Sequence, residues 1–192
     1  MANRKIKLIA VDLDGTLLRQ DHITLSPKNR EALTRTADEG IEVVVATGRS
    51  IAAIAPQVLE LPFLRYFITC NGSLTTDREG NVLRAAPLPV DVTLEILAHL
   101  TGMGGFAIQL YADQKMYISR THWEMRDVFH LPVFHLKALF SDGESIVESL
   151  AERAKHPGSH LEKINLPCLT PEQKADIKAW LAERYGDRVR AV

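Results

Sequence analysis

The chain has 192 residues, 46% of them apolar and 24% charged, and its 23 Lys plus Arg against 24 Asp plus Glu leave a formal net charge of −1. That composition excludes a disordered chain, a collagen-like repeat and a small disulfide scaffold, and the charge balance argues against a dedicated nucleic-acid binder. The length allows one large domain or two small ones, with a sizeable core in either case.

The first apolar run, residues 8–11, reads as a buried strand within 7–11. It is far short of the ~20 residues a membrane helix needs, as is the run at 43–46. Asp12 and Asp14 break the apolar stretch directly behind Arg4, Lys5 and Lys7, so no secretory signal is read and a cytoplasmic location is expected. Ser26 and Pro27 have the order of an N-cap and a first helical residue, which predicts a helix running to Gly40. Residues 41–47 are valine-rich and apolar on both faces, the pattern of a strand in a parallel sheet covered by helices. A second helix is predicted over 50–61, with Pro56 kinking it or delaying its start, and a third strand over 66–70. Strand, helix, strand, helix, strand is the order of a doubly wound α/β sheet.

The rhythm changes after Asn71. Two short extended segments flank the turn signal Asp77-Arg78-Glu79-Gly80-Asn81, and a domain boundary is expected near Pro87 and Pro89. A helix over 92–100 follows, then a hairpin pairing 106–111 with 116–119 across a turn at 112–115. Helices are predicted near 122–129 and 144–154, and strands near 136–140 and 161–166. Thr170-Pro171-Glu172-Gln173 has the spacing of a capping box. Its helix places Ile177, Leu181 and Tyr185 on one face beside Trp180, ends at Gly186, and is followed by a strand over 189–192. This second region reads as α+β with an antiparallel sheet.

Three strand ends carry the chemistry. Asp12-Leu13-Asp14-Gly15-Thr16-Leu17-Leu18 follows the first strand. It sets two carboxylates at the carboxyl end of a parallel strand, where open α/β sheets bind ligands. Adjacent negative charges need an offset, and a magnesium ion shared with phosphate supplies one. Ala46-Thr47-Gly48-Arg49-Ser50 ends the second strand with a hydroxyl and backbone amides suited to an anion. Cys70-Asn71-Gly72-Ser73 ends the third and, taken alone, is no more than a turn.

Together these segments resemble the haloacid dehalogenase-like (HAD) phosphatases, in particular the Cof-like subfamily with a type IIB α/β cap. The resemblance implies a HAD-like Rossmannoid parallel sheet, incomplete here, in a core at 1–86, with an α+β cap at 87–192 that ends before its last strand. It implies a magnesium-dependent phosphatase acting on a sugar phosphate, nucleotide or phosphorylated cofactor. Asp12 would be the nucleophile that forms an aspartyl-phosphate. Asp14 would protonate the leaving oxygen and then take a proton from water, a role suited to a carboxyl whose pKa a neighbouring carboxylate raises. Asp14 stands where ion-pumping ATPases of the superfamily carry Thr, which favours a phosphatase or mutase. Asp12 and the Asp14 carbonyl would hold Mg2+. Thr47, Gly48 and Asn71 would bind phosphate, and Arg49 would contact it or brace the cap.

Two further motifs of that family are not found: a lysine, and an acidic Gly-Asp-x-x-Asn-Asp segment. Gly186-Asp187 is no match, since Arg188-Val189-Arg190 follows. Losing the cation and the extra metal ligands would each cost on the order of 10²-fold or more. The first strand would then present an apolar edge. Three readings stand for such a chain. The preferred one is a piece of a longer protein. The others are a chain that pairs with a second copy or another chain at that edge, and a shortened, non-catalytic module that binds a phospho-ligand or a protein. The seven histidines (22, 99, 122, 130, 135, 156 and 160) show no metal-ligand spacing, and neither do Cys70 and Cys168, read as two ordinary thiols. Trp123, Phe129 and Trp180 read as packing residues, and Lys137 and Lys163 as surface lysines.

Overall fold

In the computed structural model, which describes residues 5–132, 136 and 144–192, the first strand is β1, Leu8–Val11. It pairs in parallel with β2, Glu42–Ala46, and β2 pairs in parallel with β3, Tyr66–Thr69. β4 (Leu74–Asp77) and β5 (Val82–Ala85) then add on antiparallel, giving the sheet order β1-β2-β3-β4-β5. β2 is central and its Val43, Val44 and Val45 are 1%, 5% and 0% exposed, each worth roughly 1.5–3 kcal/mol of burial. β1 is a strand but not a buried one. Among the described residues only β2 pairs with it, and Leu8 is 53% exposed.

Helix α1, Pro27–Asp38, starts where its cap residues predict. Ser26 Oγ accepts the Asn29 N–H at 3.1 Å, and Pro27 takes a first-turn position that has no intrahelical partner for an N–H. Its Leu33 joins the apolar cluster of Leu13, Leu17, Leu25, Val45, Val58 and Phe67. The single helix predicted over 50–61 is two pieces, a 3₁₀ turn at Ile51–Ala53 and α2 at Pro56–Leu59. Pro56 lacks an N–H and holds Ala55 extended (φ −59°, ψ 132°), so no helix runs through.

The chain divides into two compact units, Met1–Pro87 with Asp113–Lys115, and Leu88–Ala112 with Met116–Val192. The second is built on α3 (Val90–Met103), β6 (Gln109–Ala112), β7 (Lys115–Ser119), α4 (Arg120–Glu124), β8 (Ile146–Val147), α5 (Leu150–Ala154), β9 (Leu161–Asn165) and α6 (Pro171–Tyr185). Its sheet order is β8-β7-β6-β9. β9 is antiparallel to β6, but β8 is parallel to β7, so the sheet is mixed where a purely antiparallel one was predicted. Val92, Ile96, Leu97 and Leu100 of α3 pack with Leu110, Leu161, Ile177, Leu181 and Tyr185 in one apolar core.

The hairpin is tighter than predicted. Its turn is Asp113 and Gln114 alone, at φ 51° and 65°, the doubly positive conformation that matches strand twist. The capping box is present, with Thr170 Oγ1 accepting from Gln173 N at 3.2 Å and Gln173 Oε1 from Thr170 N at 2.9 Å. The helix predicted over 144–154 is shorter. Ile146–Val147 pair as β8, and the helix begins only after Ser149, whose Oγ accepts the Glu152 N–H. The helix predicted over 122–129 closes at Glu124, and residues 189–192 form no strand. The strand predicted at 136–140 lies outside the described residues except for Leu136, and His135 and Lys137 lie outside them altogether.

Candidate active site

The carboxyl ends of β1, β2 and β3 meet around a cavity of about 340 Å³ lined by Asp12, Ala46, Thr47, Gly48, Ile68, Asn71 and Gly72. Parallel pairing puts these loops together, because it aligns the ends of all three strands on one edge of the sheet. Asp12 leaves β1 extended (φ −82°, ψ 160°) and is exposed at the cavity, where its Oδ1 accepts the Leu13 N–H at 2.8 Å. The chain then makes a wide turn closed by Leu18 N–H on the Leu13 carbonyl at 2.9 Å. Gly15, at φ 70°, takes the left-handed position that this turn requires.

The second and third loops are stitched together by backbone bonds. Asn71 N–H donates to the Thr47 carbonyl at 3.1 Å, and Cys70 N–H to the Arg49 carbonyl at 2.9 Å. Cys70, Asn71 and Gly72 are three consecutive left-handed residues, at φ 49°, 60° and 90°. Two of them are not glycine, so strain of roughly 1 kcal/mol or more each is stored beside the cavity. That turn lays the Asn71 side chain over Gly48. A Cβ at position 48 would stand 3.2 Å from Asn71 Oδ1, so the bare glycine permits the approach. Thr47 is 6% exposed, and its Oγ1 accepts the Arg49 N–H at 3.3 Å.

Four of the six predicted site residues, Asp12, Thr47, Gly48 and Asn71, therefore line one cavity, while Asp14 and Arg49 do not. Those two are bound to each other instead. Arg49 is 7% exposed and grips Asp14 with both arms of its fork, Nε to Oδ2 at 2.8 Å and Nη2 to Oδ1 at 2.6 Å. Its remaining donors serve the Ala53 carbonyl (2.9 Å) and the His22 carbonyl (2.8 Å). His22 completes the group, its Nδ1 lying 2.6 Å from Asp14 Oδ1.

The expected raised pKa of Asp14 is overturned by these contacts. Burial is the largest influence and pushes the carboxyl up. The bonds and charges of Arg49 and His22 together outweigh it and hold the carboxyl below its ordinary 3.8. The carboxylate that the sequence places next to Asp14 is not what controls it. His22 carries no ligand spacing in the sequence, and the loop that returns it to Asp14 is visible only in three dimensions.

The donors at the cavity are oxygens. Among the described residues no three or more His, Cys, Asp or Glu side chains form a metal cage. With the Asp14 carboxylate bound to Arg49 and His22, the donors left are the Asp12 carboxylate, the Thr47 and Asn71 side-chain oxygens and backbone carbonyls. Such a sparse, all-oxygen set fits magnesium, which retains waters and shares its shell with phosphate, and does not fit zinc. Cys70 is buried, Cys168 is exposed, and both are free thiols.

The parallel strands and the three loops at their carboxyl ends define an α/β protein with a ligand-type edge, and comparison with known proteins gives its family. The family described as haloacid dehalogenase-like hydrolase matches residues 9–192, and the chain belongs to it. A haloacid dehalogenase-like hydrolase from B. subtilis superposes with a TM-score of 0.71 at 25% identity, over 94% of this chain and 67% of that one. The HMP-PP phosphatase of Serratia proteamaculans is 29% identical over 67% of this chain and 51% of its own length. The pyridoxal phosphate phosphatase YbhA of Escherichia coli is 39% identical over 49% of this chain and 35% of its own. The chain thus spans about half or less of the length of these two curated relatives. Among the described residues no helix is long and apolar enough to cross a membrane.

Proposed function

We propose that the chain carries the N-terminal part of the core, and the cap, of a magnesium-dependent phosphatase for a small phosphorylated metabolite. The core is residues 1–86 and the cap 87–192. The observation that carries the reading is the convergence of Asp12, Thr47, Gly48 and Asn71 on one cavity at the ends of three parallel strands. The named activities of the relatives, on HMP-PP and on pyridoxal phosphate, support a small phosphate ester as substrate.

In this reading Asp12, exposed at the cavity, attacks phosphorus and becomes an aspartyl-phosphate as the P–O bond to the leaving group breaks. The Thr47 hydroxyl, the Gly48 amide and the Asn71 side chain hold the phosphate oxygens. Asp14 gives a proton to the leaving oxygen and later takes one from water. Its ionised resting state is set by Arg49 and His22. A phosphate dianion arriving near Asp14 opposes the hold of Arg49 and His22 on its carboxylate and drives its pKa upward, toward the protonated form the first step needs. Magnesium, held by the Asp12 carboxylate and the Asp14 carbonyl, would neutralise charge on the transferring group.

The test is hydrolysis of an aryl phosphate by the 192-residue chain, with and without magnesium, beside Asp12→Asn. The expected outcome is turnover that chelation abolishes and that Asp12→Asn lowers by at least about 10³-fold, because a nucleophile is removed while the exposed position leaves the fold intact. Equal rates for wild type and variant, from folded samples, would refute the reading for this 192-residue chain and leave the phosphatase assignment to a longer one.

A further inference from the structure

We propose that His22 is a positioning residue for Asp14, holding its carboxylate in register with Arg49. The residue grips both members of that pair at once. Its Nδ1 meets Asp14 Oδ1 at 2.6 Å, and its carbonyl accepts Arg49 Nη2 at 2.8 Å. An ionised carboxylate only accepts, so Nδ1 is the protonated nitrogen of this imidazole. Arg49 alone fixes the carboxylate plane. Two donors on Oδ1 against one on Oδ2 then leave Oδ2 the less encumbered oxygen.

The loop that presents His22 is built to do so. His22 stands at φ 58°, a left-handed backbone uncommon away from glycine but one that His, Asn and Asp adopt more often than other residues. The loop is held from both sides. Leu18 and Leu25 form an antiparallel bridge, and Arg19 N–H donates to the Thr24 carbonyl at 2.9 Å. Within the loop, Asp21 Oδ1 accepts from the Ile23 and Thr24 N–H groups at 3.0 and 2.8 Å. His22 N–H itself donates to the Arg19 carbonyl at 2.9 Å.

The catalytic consequence rests on the phosphatase reading, whereas the geometry does not, and the test separates the two. His22→Gly removes the imidazole and suits the positive φ, so folding is retained. His22→Asn restores a donor near the Nδ1 position, and asparagine tolerates the same backbone. Aryl phosphate hydrolysis is measured with magnesium. The Arg49 Nε–H exchange rate is followed by NMR on ¹⁵N-arginine-labelled protein, assigned with Arg49→Lys.

For His22→Gly, kcat is expected to fall about 10- to 100-fold with KM within about twofold, because Asp14 is misplaced while phosphate binding is untouched. His22→Asn is expected to recover most of that loss, and Arg49 Nε–H to exchange at least about tenfold faster in His22→Gly but not in His22→Asn. An unchanged kcat in His22→Gly overturns the proposal, as does a change confined to KM or a failure of His22→Asn to restore the rate. If wild type turns over no faster than Asp12→Asn, the phosphatase reading has failed and the exchange rates decide. Unaltered exchange in His22→Gly then overturns the positioning role, and faster exchange restored by His22→Asn upholds it.

Discussion

The two units use buried polar groups differently. In Met1–Pro87, Thr47, Arg49, Ser50 and Thr69 are buried together at the ends of β2 and β3, next to the left-handed run of Cys70, Asn71 and Gly72. In the second unit the buried polar residues Thr93, Gln109, Ser145 and Glu162 are spread over four segments, beneath a core that is otherwise apolar. Among the described residues the first unit gathers four of its buried polar side chains at one end of its sheet, with Thr76 apart from them, and the second spreads four through an apolar frame. A protein retains a costly polar cluster where chemistry needs fixed charge, and elsewhere hydrophobic packing gives more stability per residue.

Truncating the frame tests that contrast most severely. Leu100 is 1% exposed in the centre of its core, so Leu100→Ala is expected to destabilise by about 3 kcal/mol, read by urea unfolding through Trp123 and Trp180 fluorescence. Arg49→Met attacks the polar cluster. A fully buried pair broken on one side costs 3–5 kcal/mol, but the Asp14 side chain is 35% exposed, so solvent reduces the expected loss to about 2 kcal/mol. A neutral or stabilising Arg49→Met would mean that the cluster serves chemistry alone. Thr170→Ala removes one half of the capping box and is expected to cost about 1 kcal/mol in the same fluorescence assay.

The smallest effect is in pH. Asp14 is held below 3.8 in the folded chain, so its contribution to stability is complete above pH 3.8 and disappears as pH falls through the lower folded value. Asp21, bonded by the Thr24 side chain and by the Thr24 and Ile23 amides, is lowered to about 2, and its turn opens only as pH falls from 3.8 through that range. Carboxyl carbon NMR titration checks both. An Asp14 that titrates at or above 3.8 would remove the Arg49–His22 clamp from the account.

The local signals that were legible share one property: they act over a few residues. Ser26 before Pro27, Thr170 three residues before Gln173, and the valines of β2 each specify their element by nearby bonding or by burial on both faces. Errors came where a tertiary partner outcompeted local preference. Ile146 and Val147 carry a helical pattern forward from Glu144, yet they pair with Ile118 and Ser119. Residues 106–108 are apolar, yet β6 begins only at Gln109, and the Ile108 N–H donates to His122 Nδ1 at 3.3 Å instead of to a strand. β1 has the composition of a buried strand but lies at a sheet edge, with Ile6 and Leu8 exposed. Its burial depends on a neighbour, and strand composition does not report one.

The acidic pair Asp12 and Asp14, the hydroxyl-and-glycine loop at Thr47 and Gly48, and the parallel order of the strands that carry them are legible along the chain. Each of these is written in contiguous residues whose chemistry and spacing leave few alternatives. Only the tertiary structure decided that Asn71 packs over Gly48 and joins Asp12 at the cavity, and that Arg49 turns away from that cavity to hold Asp14. It also decided that His22, eight residues from Asp14, returns to share the carboxylate. These are contacts between loops brought together by strand pairing, and their energies depend on distance and burial that a linear pattern does not encode.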